Sequence, residues 1–169
     1  MTKIELSTHI FAPIDRCFDL ARSIELNSNP TVKDFDHKII RGLLEPGQRI
    51  QRVTYYLGRQ YHSEIELKRC AKPYFFSDEM KVGPFRTFVH DHFFYEFPGE
   101  TVMVDNVYFQ SPWGLIGETA DTLLIRRHLL LMLKRRNKAI KQYAEGNTWK
   151  LLIDTPANLP VETELSFQA

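Results

Sequence analysis

The sequence predicts an α+β fold in which a strongly curved antiparallel sheet wraps one long C-terminal helix. Three observations carry that expectation. A first strand is followed directly by short helices; six strand-like segments then run from Val32 to Gln110; and a proline-free segment from Leu115 to about Ala144 comes last. Strands joined by short turns build an antiparallel meander, because parallel neighbours need crossovers of a dozen or more residues.

Thr2 to Phe11 reads as the first strand, with Ile4, Leu6, Thr8 and Ile10 on one face. Pro13 blocks its extension and suits a helix start. Phe18, Leu20, Ala21, Ile24 and Leu26 supply one or two short helices, which end at Asn27-Ser28-Asn29-Pro30. The strands that follow are Val32–Arg41, Ile50–Leu57, Arg59–Cys70, Tyr74–Val82, Phe85–Phe97 and Thr101–Gln110, separated by glycine and proline turns at Gly42, Gly58, Pro73, Gly83 and Pro98. In the last element Ile125, Leu129, Met132, Ile140 and Tyr143 recur at helical steps and mark one apolar face. Such a helix is about 40 Å long at ~1.5 Å per residue, and Gly146-Asn147 stops it. Residues 1–146 are expected to form one domain and residues 147–169 a C-terminal extension. The extension's start, with Trp149, Leu151, Leu152 and Ile153, packs on the domain, and its end past Pro156 and Pro160 is loosely held.

A chain of 169 residues is long enough to bury a core. Its net charge of +1 gives no general attraction to polyanions, and no nucleic-acid partner is expected. Cys17 and Cys70 stand far apart without the spacing of a disulfide scaffold or a zinc cluster, so both are expected to be buried as small apolar groups. The N-terminus has no apolar run, and the aliphatic block Leu129 to Leu133 is too short to cross a bilayer, which makes the cytoplasm the expected location. There is no phosphate-binding glycine loop, nucleophile elbow or HExxH helix to support a kinase, a hydrolase or a dinucleotide enzyme.

Alternation then locates chemistry. In Arg59–Arg69 the odd positions Tyr61, Ile65 and Leu67 face inward; in Tyr74–Val82 the even positions do, which sets Asp78 among Phe76 and Met80 while Ser77, Glu79 and Lys81 face water. A carboxylate in that company needs a partner. The next two strands are apolar on both faces. If Phe88, His90, His92 and Phe94 face inward from one, and Met103, Asp105 and Val107 from the other, then Asp78, His90, His92 and Asp105 converge on three adjacent strands.

Gly83-Pro84-Phe85, His90-Asp91-His92 with Phe94, Thr101-x-Met103-x-Asp105-x-Val107 and Ser111-Pro112-x-Gly114-x-Ile116-Gly117 together resemble the polyketide cyclase/dehydrase-like branch of the START/SRPBCC superfamily. The opening Ile10-Phe11-Ala12-Pro13-Ile14-Asp15-x-Cys17-Phe18-Asp19-Leu20 resembles its first strand and helix, and the likeness runs from about residue 3 to residue 145. The resemblance implies a helix-grip fold: a seven-stranded antiparallel sheet, two short helices after strand one, and a long C-terminal helix closing a cavity. It also favours the inward orientation of His90, His92 and Asp105. The superfamily includes lipid and sterol carriers, hormone receptors and aromatase/cyclases, and fold alone does not choose among them.

Several readings of the four polar residues stay open. They can be a hydrogen-bond network holding three strands in register, a polar anchor for a ligand head group, or an acid/base pair with His90 or His92 as the proton carrier. His-x-His with carboxylates is also a donor set for zinc or iron. Without a cysteine or a third histidine beside it, however, no metal and no cofactor is expected. A curved sheet and one helix do not fill their own middle, so an apolar pocket is expected, drawn from Phe76, Met80, Phe88, Phe94 and Met103, with Tyr61, Phe85, Phe109 and Trp113 as further candidates. The leading function is binding or carriage of a hydrophobic small molecule: a lipid, a polyketide-like or an aromatic compound. The alternatives are a cyclase or dehydratase on a polyketide-like substrate, and an interaction protein with a filled core. Arg126, Arg127, Lys134, Arg135, Arg136, Lys138 and Lys141 lie in a helix with no acid between Thr122 and Ala144. They are either a solvated face or a transient contact for an anionic membrane surface.

Overall fold

The computed structural model describes residues 1–27, 32–33, 42–56, 59–110 and 124–153. The chain opens with β1 (Thr2–Ile10), turns at Pro13 into α1 (Ile14–Arg22) and continues into α2 (Ile24–Asn27). Then come β2 (Val32–Lys33), β3 (Arg49–Tyr56), β4 (Arg59–Ala71), β5 (Phe75–Val82), β6 (Thr87–Phe97) and β7 (Glu100–Gln110). The long helix α3 (Arg126–Glu145) and the single turn α4 (Lys150–Ile153) follow. The strands form one seven-stranded sheet in the order β1-β7-β6-β5-β4-β3-β2, with every neighbouring pair antiparallel. Six strands are full-length; β2 contributes two residues, and the remainder of the expected strand to Arg41 lies outside the described residues, as do Gly58, Trp113 and residues 115–123 of the expected helix. The described helix of 20 residues is about 30 Å long. Among the described residues no helix is long and apolar enough to cross a membrane.

The β6–β7 hairpin turns through Pro98 and Gly99 between the paired residues Phe97 and Glu100, and Gly99 takes a φ of +82°, where a Cβ is unfavourable. Register shifts between β4 and β5, at Glu64/Ile65 and at Leu67/Arg69, add local twist and bend the sheet around its inner face. On β7 every odd position from Thr101 to Phe109 is buried, and on β6 His90, His92 and Phe94 are. The inner face therefore carries the even residues of β6 and the odd residues of β7.

Two apolar clusters cover that face. In one, the fully buried Phe18 of α1 sets its ring edge-on to Phe76 and Phe94, with centroids 5.5 and 5.3 Å away. The other joins Ile4, Val107 and Phe109 of the sheet to Ile125, Leu129 and Leu133 of the helix region. Trp149, Leu152 and Ile153 pack against the first cluster, and the guanidinium of Arg16 lies 4.5 Å over the Trp149 ring.

Three side-chain expectations change. Ser77 faces the outer side of β5 yet is 1% exposed, because its hydroxyl donates to Asp91 at 2.6 Å under the Arg69 side chain. Met132 is 41% exposed; the buried stripe of α3 runs instead through Leu129, Leu133, Asn137, Ile140 and Ala144. Cys17 is buried, but Cys70 is only partly so.

Candidate functional site

Strand register builds the polar cluster. Asp78 on β5 stands opposite His90 on β6, and His92 on β6 stands opposite Asp105 on β7. Side chains two residues apart on one strand share a face, so all four project inward, within reach of direct and diagonal neighbours. His90 Nε2 lies 2.8 Å from Asp105 Oδ1, and His92 Nε2 lies 3.4 Å from Asp78 Oδ2. His92 Nδ1 also lies 2.7 Å from Asp105 Oδ1, but too far out of line for a hydrogen bond. The two imidazole centroids are 3.7 Å apart, and the Phe76 ring stacks on His92 at 4.0 Å.

Asp105 is the hub. Its side chain is fully buried, yet Asn137 Nδ2 donates to Oδ2 at 2.6 Å and Arg136 Nη1 approaches Oδ1 at 3.4 Å. Asn137 Nδ2 also reaches Thr8 Oγ1 at 3.0 Å, and Arg136 Nη2 donates to the Ala21 carbonyl at 2.8 Å. Burial alone raises the Asp105 carboxyl, but the contacts from His90 and His92 outweigh it and hold the group well below the usual carboxylate range. For Asp78 burial is again outweighed, by His92 above all, and its carboxyl is lowered. Burial, aided by the neighbouring His92, brings His90 down to about 4 despite Asp105 beside it. At neutral pH the His90 ring is thus an uncharged hydrogen-bonding group.

This cluster borders a cavity of about 510 Å³ between the inner face of the sheet, the α1–α2 corner and α3. Ile50, Ile65 and Leu67 from the sheet and Ala21, Ile24 and Leu133 from the helices give it apolar walls. Of the nine residues expected at a ligand site, Phe76, Asp78, Phe88 and His90 line it. His92 and Asp105, with no exposed side-chain surface, stand directly behind. Phe94 and Met103 are absent from its walls and pack in the Phe18 cluster, which Met80 flanks. Tyr61, Phe85 and Phe88 flank the second cluster, whose Phe109 is fully buried.

The helix contributes what the strand pattern did not reveal. Asn137 falls on the same stripe as Leu133 and Ile140, and a polar residue in that register was a legible sign of a buried partner. Arg136 turns inward to Asp105 rather than outward with the other cations, and Lys141 pairs with Glu145 at 2.8 Å. Arg126, Arg127, Lys134, Arg135 and Lys138 are exposed.

No family model matches the sequence, and no curated protein matches it. Solved structures do. The crystal structure of TTHA0849 from Thermus thermophilus aligns with a TM-score of 0.63 at 15% identity, over 82% of this chain and 97% of that one. A START superfamily protein from Mycobacterium smegmatis aligns with a TM-score of 0.61 at 10% identity, over 85% of this chain and 97% of that one. The fold is the helix-grip. The same helix-grip frame appears in the di-domain ARO/CYC BexL from the BE-7585A biosynthetic pathway, at a TM-score of 0.61 and 18% identity, over 86% of this chain and 50% of that one.

Proposed function

We propose that this helix-grip chain binds a hydrophobic small molecule between its sheet and α3, with Asp78 and His90 meeting the ligand's polar end. The cavity carries the reading. A volume of about 510 Å³ with mostly apolar walls and a few convergent polar groups suits a ligand of lipid, polyketide-like or aromatic type. It also speaks against an interaction protein with a filled core. Native mass spectrometry with organic extraction of the purified protein identifies the class of any retained ligand, and displacement of a fluorescent fatty acid measures the site. Ala139 lines the cavity, so Ala139→Trp should weaken probe binding at least tenfold while circular dichroism stays unchanged. A folded variant that binds the probe as tightly as the wild type overturns the proposal.

Proton-transfer chemistry on a polyketide-like substrate is the second reading, supported by the His90–Asp105 contact and the likeness to BexL. It ranks below binding because an imidazole held near 4 is a weak base at neutral pH. A membrane contact completes the carrier reading. Leu124 and Leu131 are exposed on the same helical region as Arg127, Lys134 and Lys138, a mixture suited to an anionic bilayer surface. Vesicle co-sedimentation that rises with anionic lipid content and falls with salt is the expected result. The cytoplasm remains the proposed location.

A further inference from the structure

His92 poses a donor–acceptor problem that no neighbouring side chain resolves. Its Nδ1 lies 2.7 Å from Asp105 Oδ1 and its Nε2 lies 3.4 Å from Asp78 Oδ2. A neutral imidazole has one N–H for two carboxylates, so one nitrogen would face an oxygen lone pair to lone pair unless a second proton or another cation sits there. The second carboxylate oxygen, Asp78 Oδ1, is buried and has no hydrogen-bond partner, and His92 Nδ1 is buried in the same condition. A buried carboxylate oxygen without a donor is costly and calls for a proton or a metal cation.

We propose that Asp78, His90 and His92 form a binding site for a divalent first-row transition-metal ion, with Asp105 behind them orienting both imidazoles. One ligand atom from each of the three residues lies within 4.8 Å of the other two. Ligands of a tetrahedral ion at ~2.0–2.2 Å stand about 3.3 Å apart, so closure requires side-chain shifts of the order of an ångström. Two nitrogens and one carboxylate are a donor set suited to zinc or iron(II).

The surroundings have the form such a site needs. His90 spends Nε2 on Asp105, which leaves its Nδ1 as the ligating atom. Turning His92 Nδ1–H to the same Asp105 oxygen frees its Nε2 toward Asp78. A carboxylate holding the far nitrogen of a ligating histidine is the usual outer support of a metal centre, as Asp105 does for His90, and Asn137 fixes that carboxylate in turn. Asp78 and Asp105 bring two carboxylates to the cluster against the one guanidinium of Arg136, a surplus that favours a cation. Because Asp78 and His90 line the cavity, the ion's remaining coordination positions open into it. The sequence pattern led away from a metal because no cysteine or third histidine joins His90 and His92; the unpaired Asp78 oxygen beside them restores that reading.

The test uses purified full-length protein after chelator treatment and dialysis. Calorimetric titration with Zn²⁺ should give one ion per chain at micromolar affinity or tighter, and Co²⁺ should produce visible absorption bands of a protein-held ion. Asp78→Asn, nearly isosteric, should weaken Zn²⁺ binding at least tenfold, while His62→Gln on the exposed face of β4 should leave it unchanged. In the wild type, nitrogen-15 spectra of the imidazoles should shift for His90 and His92 on zinc addition and not for His9 or His62, a readout independent of how any variant folds. Millimolar binding, binding indifferent to Asp78→Asn, or shifts confined to surface histidines overturns the proposal, with a proton occupying the gap instead. The metal titration needs no organic ligand, so its failure is distinct from failure of the cavity reading.

Discussion

Asn137 of α3 and Asp105 of β7 meet at 2.6 Å in the interior, and through this bond the long helix is latched to the middle of the sheet. A buried charge with its donors in place is tolerated, and the same charge short of one donor is costly. Asn137→Ala should therefore lower stability by about 2 kcal/mol in urea denaturation of chelator-treated protein. A loss under a few tenths of that would mean Arg136 and His90 suffice for Asp105.

Phe18 joins α1 to β5 and β6 through two edge-on ring contacts and is fully buried. Truncating it removes the transfer free energy of a ring and leaves a void. Phe18→Ala should cost about 4 kcal/mol, seen as a lower urea midpoint. A cost near 1 kcal/mol would show that α1 contributes little to the core.

Cys17 supplies a pH signature. Burial pushes its thiol from an ordinary value of 9.0 up to about 11. A folded-state pKa raised above the unfolded one gives stability that is complete below pH 9 and lost as pH climbs toward 11. The loss from this group is about 2–3 kcal/mol, at ~1.4 kcal/mol per pH unit. Comparing wild type with Cys17→Ala isolates it: the variant's stability should fall less steeply across that window. Native Cys17 should also resist iodoacetamide at pH 8, whereas the partly exposed Cys70 reacts first.

Ser77 and Asp91 are register-paired on the outer face and tie β5 to β6, the Ser77 hydroxyl donating to Asp91 Oδ1 at 2.6 Å. A double-mutant cycle with Ser77→Ala and Asp91→Ala should give a coupling of about 1 kcal/mol, and additivity of the two losses would remove the bond from the account.

The meander from β3 to β7 and the inner faces of β4 and β5 were legible in the sequence because turn residues and period-two alternation are local signals. Asp78 among Phe76 and Met80 was legible as an inward-facing carboxylate. What alternation left open was the orientation of β6, apolar on both faces, and that depended on pairing with β7. The helix was harder. Met132 and Leu133 are neighbours of similar apolarity that both border the cavity, and which of them is buried depends on the rotation of α3 about its axis, a tertiary property. For the same reason Arg136 read as one more surface cation, although its guanidinium reaches a carboxylate 31 positions earlier in the chain. The cavity walls followed the same rule: Phe94 and Met103 face inward but pack in the Phe18 cluster rather than on the cavity wall.

The pairing of β1 with β7 has a consequence for biosynthesis. Nine residues at the start of the chain, Thr2 to Ile10, find their partners between Thr101 and Phe109. A ribosome must therefore release more than a hundred residues before the first strand has anything to bond to, and until then its backbone groups and the apolar side of Ile4 and Ile10 stand uncovered. The meander from β3 to β7 can zip hairpin by hairpin as it emerges, with short loops and low closure entropy. The N-terminal strand is thus the final stave to be fitted, and a nascent chain stalled before β7 would carry an adhesive leading edge.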